Sequence, residues 1–413
     1  MFETVVKNVR LMDQEGLFSI GMNDGKFAEI TRKEINGTKE WDGDGGLAFP
    51  PFVEMHTHLD TVLTSGTPRF NQSGTLMEGI EIWQERKELL SVEELTNRSE
   101  TALRMLVKHG VLHVRAAVDI SDSQLTALRV LLGVREKFRD LLDLQIIAFP
   151  QDGLVSCPGN QRRLIQAVEL GADAVSAVPH LERTREQGIA SLEYCFDVAK
   201  RHGVKVHIFT DEVDDEHSRF LEVIADLTIK ENMQGAVTAS HAIALSYYSD
   251  AYAAKVISLI KQAELTIVAC PLINSAMQGR FDHHPKGRGI TRIKELHAAE
   301  VNVCIAHDDI RTPFYPFGNG NMLQVIHMTA HLAHMTGSEE VRQLFQMVMI
   351  NGAKAFGLTS NYGIEVGKSA NLIIFPDKEV PDLISRQPEC QYVFRNGQLI
   401  VETIPAETRW HEG

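Results

Sequence analysis

Residues 48–60 read AFPPFVEMHTHLD and place an apolar run directly before two histidines, His56 and His58. Side chains alternate between the two faces of a β-strand, so these two imidazoles lie on one face when the run is extended. Two imidazoles on one face can bind one metal ion. Because a His-x-His pair also occurs by chance, its position at the end of a strand is what strengthens the metal interpretation.

The middle of the chain alternates strand-like runs with longer helical patterns, which is typical of βαβ units and a parallel sheet. Candidate strands after the opening run read LHVRAAVDI, LDLQIIAFP, ADAVSAVPH, VKVHIFTDE, AVTASH, LTIVACPL and VNVCIAHDD. The segments SLEYCFDVAKRHG and SRFLEVIADLTIKENMQG predict helices that end at Gly203 and Gly235. Repetition of this unit over about 300 residues favours a closed TIM-type (β/α)8 barrel, with a doubly wound open sheet as the alternative.

Both chain ends differ from the middle of the chain in their sequence pattern. Residues 1–50 show short alternating runs separated by turns such as Asn-Asp-Gly, and the segments GIEVGKSANLIIF and QYVFRNGQLIVET repeat this pattern near the other end. We therefore predict an α/β protein with a barrel over residues 51–360 and a small β-sandwich domain formed by residues 1–50 and 361–413.

Polar residues lie where several candidate strands end. His241 closes AVTASH, Asp308 and Asp309 close VNVCIAHDD, and Glu212 lies in the loop after VKVHIFT. Active sites of parallel barrels form at the carboxyl ends of the strands, where a carboxylate with imidazoles suits Zn, Fe or Mn. Taken singly, a strand-end cap explains His241 or Asp308, and a solvated acidic run at a helix start explains Glu212.

The composition limits the partners. The formal net charge of −14 argues against nucleic acid, because binding a phosphate backbone needs a basic face. The start of the chain lacks the pattern of a secretory signal, and no apolar stretch of about 18 residues follows. We expect a cytoplasmic protein with a small-molecule substrate and no membrane partner. The five cysteines form no CxxC pair and predict reduced, buried thiols.

Further motifs carry a family resemblance. They are PPFVEMHTHLD, NQSGTLMEGIEIW, IIAFPQDG, TDEVDDEHSRF, VTASH, QGRFDHHPKGRGITR, AHDDIRTPFYPFGNGNMLQV and NYGIEVGKSANLIIF, which together span nearly the whole chain. In this order they resemble the bacterial-type cytosine deaminases of the amidohydrolase superfamily and, more distantly, the N-isopropylammelide amidohydrolases. The resemblance implies a hydrolase that releases ammonia from cytosine or a related cyclic amidine, and it makes a homo-oligomer plausible.

The resemblance also implies roles for individual residues. One divalent ion (Fe, Zn or Mn) would be bound by His56, His58 and Asp308, and Asp308 would also help to deprotonate water. His241 would orient that water and Glu212 would pass a proton to the ring. The implied substrate contacts are Gln151, the backbone of Leu76, Asp309 and Phe314. Read without the resemblance, Gln151 is an ordinary loop residue, although an amide can both donate and accept.

Two positions depart from the family pattern. A third metal-binding histidine is implied three residues before Glu212, where this chain has Phe209, and a further histidine is often found at the position of Ala117. His207 lies about 6 to 7 Å further back along the strand and could bind the metal only if the strand shifts or bulges. Three hypotheses therefore stay open: a cytosine-type deaminase, an amidohydrolase with a different cyclic substrate or altered metal binding, and a non-catalytic relative that binds a ligand.

Overall fold

The amino-terminal segment forms five strands of a small sheet. In the computed structural model, which describes residues 1–284, 286–404 and 409–411, they are β1 (Phe2–Leu11), β2 (Phe18–Asn23), β3 (Lys26–Thr31), β4 (Gly37–Asp42) and β5 (Leu47–Phe49). β1 pairs antiparallel with β2 and parallel with β4 and β5. The hairpin between β2 and β3 turns at Asp24 and Gly25, both with positive φ, as expected of the predicted Asn-Asp-Gly turn.

Eight parallel strands follow and form the barrel. They are β6 (Phe52–His58), β7 (Val111–Asp119), β8 (Asp143–Phe149), β9 (Ala174–Val175), β10 (Lys205–Thr210), β11 (Val237–His241), β12 (Thr266–Ala269) and β13 (Asn302–Ile305). Each strand pairs with the next in chain order. A parallel bridge between Thr57 and Asp308 joins the last strand region to the first. The ring is therefore nearly closed, and the predicted TIM-type barrel is confirmed.

Helices connect the strands and pack against them. They are α1 (Leu76–Lys87), α2 (Val92–Lys108), α3 (Thr126–Phe138), α4 (Asn160–Leu170), α5 (Arg185–His202), α6 (Phe220–Lys230), α7 (Asp250–Gln262), α8 (Pro271–Met277), α9 (Ile293–Ala298), α10 (Met322–Leu332), α11 (Ser338–Val348), α12 (Ile350–Phe356) and α13 (Val380–Arg386). α5 ends before Gly203 as predicted, and Gly203 has the left-handed φ of 68° that is common where helices end. The predicted helix α6 also forms, but its predicted end at Gly235 was wrong, because the helix ends at Lys230 and the chain turns at Asn232 with φ of 56°.

The carboxyl-terminal segment completes the small sheet with β14 (Leu372–Ile374), β15 (Tyr392–Arg395) and β16 (Gln398–Glu402). β14 pairs antiparallel with β5, and β15 lies between β14 and β16. Strands from both ends bury one apolar core made of Val6, Val9, Leu11, Phe18, Ile20, Met22, Phe27, Ala48, Ala370, Leu372, Ile374 and Phe394. This confirms the β-sandwich formed by both chain ends, whereas the exact domain boundaries stay a prediction.

The junction after β12 differs from the sequence prediction. The run LTIVACPL was expected to be one strand, but β12 ends at Ala269 and α8 begins at Pro271. Proline has a fixed φ that suits the first residue of a helix, and it lacks the N–H that a strand would need. Cys270 therefore lies at the carboxyl edge of the barrel. Among the described residues, no helix combines the length and apolar character that crossing a bilayer requires.

Candidate metal centre and active site

The end of β6 faces Asp308 at the mouth of the barrel. His56 Nε2 lies 3.6 Å from Asp308 Oδ2, and His58 Nε2 lies 3.7 Å from Asp308 Oδ1. The backbone fixes Asp308, since its N–H donates to the His56 carbonyl at 3.1 Å and its carbonyl accepts from the Thr57 hydroxyl at 2.6 Å. The fold thus brings the three main predicted metal residues together.

Glu54 supports this arrangement from beneath. Its carboxyl oxygens accept the backbone N–H of His56 at 2.9 Å and that of His307 at 2.8 Å. Burial raises the pKa of Glu54 to about 8, although both hydrogen bonds favour the charged form. Glu54 therefore ties β6 to the residue that precedes Asp308.

β10 brings His207 and Phe209 toward the same region. His207 Nε2 lies 3.0 Å from His56 Nδ1, and both side chains are buried. β10 pairs with β11 without a bulge, so the shift that would let His207 reach the metal site does not occur, and His207 contacts the rear of His56. The Phe209 ring stacks on Phe149 with centroids 4.0 Å apart and planes at 27°. Ala117 belongs to the same apolar cluster, so the two positions that lack an expected histidine are neighbours.

A second polar cluster joins the loop after β10 to β11 and α8. Glu212 Oε1 accepts from Asn274 Nδ2 at 3.1 Å and lies 3.4 Å from His241 Nδ1. His241 Nδ1 also lies 3.3 Å from Asn274 Oδ1. Asn274 therefore holds the carboxyl group and the imidazole in a fixed relation, and the Nε2 atom of His241 is left without a hydrogen-bond partner.

His58, Glu212, His241 and Asp308 line one common cavity. All four residues predicted to contact a substrate line it, namely Leu76, Gln151, Asp309 and Phe314. The remaining polar lining comes from His58, Glu212, His241 and Asp308, and the apolar lining from Ile80, Phe149, Val178, Leu181, Phe209 and Ile273. A few converging polar groups between apolar walls are typical of a small-molecule site.

Burial shifts the titratable groups of the cavity toward their uncharged forms. It raises the pKa of Glu212 to about 8 and that of Asp309 to about 7, and it raises the pKa of Asp308 as well. It lowers the pKa of His58 to about 3 and that of His241 to about 4. Neutral imidazoles keep the lone pairs that a metal ion needs, and a protonated carboxyl group can donate a proton.

The sequence profile of the Amidohydrolase family matches residues 88–401. The chain belongs to the amidohydrolase family. A crystal structure of 5-methylcytosine deaminase from Klebsiella pneumoniae, liganded with 5-fluorocytosine, is 40% identical to this amidohydrolase. The match covers 98% of this chain and 99% of that chain, with a TM-score of 0.95.

Two further relatives of this amidohydrolase also carry names of C–N bond hydrolases. N-isopropylammelide isopropyl amidohydrolase from Pseudomonas sp. (strain ADP) is 27% identical over 413 residues, which cover 97% of this chain and 98% of that protein. Pterin deaminase from Rhizobium rhizogenes (strain K84) is 28% identical over 364 residues, which cover 87% of this chain and 82% of that protein. This amidohydrolase is a hydrolase that acts on C–N bonds, and the predicted family is confirmed.

The donor atoms at the barrel mouth of this amidohydrolase fit a bound cation. Three buried atoms, His56 Nε2, His241 Nε2 and Asp308 Oδ1, have no hydrogen-bond partner. The ligand atoms of His56, His241, Cys270 and Asp308 all lie within 4.8 Å of one another. The separations of 3.6 and 3.7 Å between the β6 imidazoles and Asp308 exceed a good hydrogen bond. They are close to the roughly 3.4 Å between two ligands of a tetrahedral ion with bonds of about 2.1 Å.

Three residues of the site were missed in the sequence. Cys270 and Asn274 follow the end of β12, so the rule that identified His241 and Asp308 at strand ends also applies to them. Glu54 lies on the same face of β6 as His56 by the two-residue alternation of a strand. The signal was therefore present, but strand β12 was predicted to be too long and the cysteines were treated as structural.

Proposed function

We propose that this amidohydrolase is a metal-dependent deaminase that hydrolyses the exocyclic C–N bond of cytosine or a closely related cyclic amidine and releases ammonia. The observation that carries the proposal is the cavity lined by Gln151, Glu212 and Asp308. The similarity to the Klebsiella pneumoniae 5-methylcytosine deaminase, at 40% identity over nearly the full length of both chains, supports a pyrimidine ring.

The cavity lining suits a flat ring with an amide edge. The side-chain amide of Gln151 can donate and accept at once, which matches adjacent N–H and C=O groups of a pyrimidine. Phe314 and the stacked pair of Phe149 and Phe209 provide apolar surfaces for the ring faces. The backbone of Leu76, at the start of α1, offers a further polar contact at the same edge.

The reaction adds water to the ring carbon that carries the amino group. A C–O bond forms, Asp308 accepts one proton of the water as a carboxylate, the form that a cation bound beside it would favour, and the Glu212 carboxyl group gives its proton to the adjacent ring nitrogen. The C–N bond then breaks, the proton held by Asp308 leaves with ammonia, and the added hydroxyl becomes the ring carbonyl as its remaining proton returns to the Glu212 carboxylate. His241 Nε2 faces the oxygen, while Asn274 fixes the opposite side of the imidazole ring at 3.3 Å. The high pKa of Glu212, about 8, keeps it ready to donate at neutral pH.

His56 and His58 would hold a divalent cation together with Asp308. When bound, such an ion supplies Lewis-acid chemistry that lets water attack at neutral pH. Fe, Zn and Mn all suit imidazole and carboxylate donors. Glu54 and His207 hold His56 in place by their contacts with its backbone N–H and with Nδ1, which fixes the orientation of the remaining nitrogen.

An ammonia-release assay tests this function directly. Protein loaded separately with Zn, Fe or Mn should release ammonia from cytosine or 5-methylcytosine. Glu212→Gln should lower kcat/KM by about 10²- to 10⁴-fold, because it removes the proton donor. Glu216→Gln is the matched control, since Glu216 is exposed in the same acidic loop and should retain activity.

The same assay separates the alternatives. Ammonia from pterin or another cyclic amidine but not from any cytosine would support an amidohydrolase with a different cyclic substrate. Absence of ammonia from every ring tested, with metal-loaded and correctly folded protein, would contradict the proposal.

A further inference from the structure

Phe209 leaves the metal site without a donor on the β10 side. The family resemblance implies a histidine at this position, whereas the phenylalanine ring has no lone pair and stacks on Phe149 at 4.0 Å. His207 does not supply the missing ligand, because its Nε2 atom lies 3.0 Å from the rear nitrogen of His56.

Cys270 approaches the same group of donors from the end of β12. Its side chain is buried, and its sulfur lies within 4.8 Å of the ligand atoms of His56, His241 and Asp308. Ligands around a tetrahedral ion are about 3.3 to 3.8 Å apart when bonds are about 2.0 to 2.3 Å. A modest contraction around an ion therefore brings the sulfur into bonding range.

Cys270 differs from the other buried cysteines in having side chains that can bind a metal ion as its neighbours. Cys195, Cys304 and Cys390 are equally buried, yet within the described part of the chain none of them belongs to a group of metal-ligating side chains. Cys270 instead belongs to one group with His56, His241 and Asp308, and each of those three residues has a buried donor or acceptor atom without a hydrogen-bond partner.

We infer that Cys270 is a ligand of the metal ion and that its thiolate replaces the imidazole absent at position 209. The inference rests on the metal site of the proposed function. Binding breaks the S–H bond, forms an S–metal bond and releases one proton to solvent. Because thiolate is a soft donor that selects Zn over Mn, the expected native ion is Zn.

Cobalt substitution tests the ligation by a readout that does not depend on turnover. Full-length protein stripped of metal and loaded with Co(II) should show a near-ultraviolet thiolate-to-cobalt charge-transfer band. Cys270→Ser should lose the band, whereas Cys195→Ser should keep it, since Cys195 is a buried thiol on α5 outside the donor group. Retention of the band by Cys270→Ser would overturn the inference.

Zinc X-ray absorption of the unmutated protein gives a second measurement, which is independent of whether Cys270→Ser folds. A Zn–S distance of about 2.3 Å supports the inference, and a shell of only N and O atoms at about 2.0 to 2.1 Å overturns it. Ammonia release from cytosine without a Zn–S bond would refute the inference alone. A Zn–S bond without deamination of any cytosine would refute the proposed substrate alone.

Discussion

Strands β6 and β10 both end at the mouth of the barrel, and each has a histidine followed two residues later by another ring side chain. Their histidines nevertheless have different roles. β6 ends in His56 and His58, and both imidazoles lie within 3.7 Å of Asp308. β10 has His207 and Phe209 at the same two-residue spacing, but its imidazole is placed deeper and contacts His56. Two residues of a strand span about 6.6 Å. The depth of a histidine along its strand therefore decides whether it is placed to bind an ion or to support another histidine.

The largest expected effect comes from His56 on β6. His56→Ala should lower deaminase activity by about 10³-fold or more, within the range for loss of an essential catalytic group, and should reduce the metal content measured by elemental analysis. His331→Ala is the control, because His331 is exposed on α10. Unchanged metal content in the His56 variant would contradict the assignment of His56 as a metal ligand, and with it the contrast between β6 and β10.

The next effect concerns His207 on β10, which we treat as a positioning residue. His207→Ala should weaken metal affinity by about 10- to 100-fold, as expected when the partner of a ligating histidine is lost. At saturating metal kcat should change little. His207→Gln should recover part of the affinity, because its side-chain oxygen can still accept from His56 Nδ1. Competition with a chelator measures the affinities, and equal losses in the Ala and Gln variants would indicate a packing role only.

Phe209→His moves the β10 imidazole to the level of the β6 pair. We expect metal to dissociate about tenfold more slowly, which corresponds to about 1.4 kcal/mol, and the cobalt charge-transfer band to weaken if imidazole displaces the Cys270 thiolate. Phe209→Leu is the matched control, since it keeps an apolar side chain without a donor. If Phe209→His releases metal as fast as Phe209→Leu, the position of a histidine along β10 does not by itself decide whether it binds the ion.

The smallest effect concerns the opposite ends of the two strands. β6 starts with an apolar residue, Phe52, whereas β10 starts with Lys205, whose ammonium donates to the carbonyls of Ala355 and Phe356 at 2.8 Å each. Burial, followed by the charge of Arg115, lowers the pKa of Lys205 to about 8 from 10.5. Between these values the unfolded chain binds more protons than the folded one, so Lys205 makes stability rise with pH.

Lys205→Met should remove this pH dependence. The melting temperature of the unmutated protein relative to the variant should increase from pH 7 to 10. The change should correspond to about 1 to 2 kcal/mol once solvent screening of a partly exposed group is allowed for. Lys200→Met on α5 is the control for loss of one lysine. A constant difference across this range would contradict the assignment.

Strand periodicity was enough to predict the barrel and much of the candidate site. Parallel strands bring their carboxyl ends to one edge, so Glu212, His241 and Asp308 could be grouped without coordinates. The role of His207 could not be predicted, because its depth relative to β6 depends on the pairing register of several strands. Cys270 and Asn274 were missed because the turn at Pro271 converts the end of a predicted strand into a helix.

The two-ended sandwich has a consequence for the order of synthesis. β5 pairs with β1, made shortly before it, and with β14, made only after the whole barrel. Until the ribosome releases β14, one edge of β5 has no sheet neighbour, and an open edge is a template for mispairing. β5 contains only three residues, Leu47–Phe49. Because β5 is so short, a nascent chain exposes few unpaired backbone groups on this edge before β14 has been synthesised.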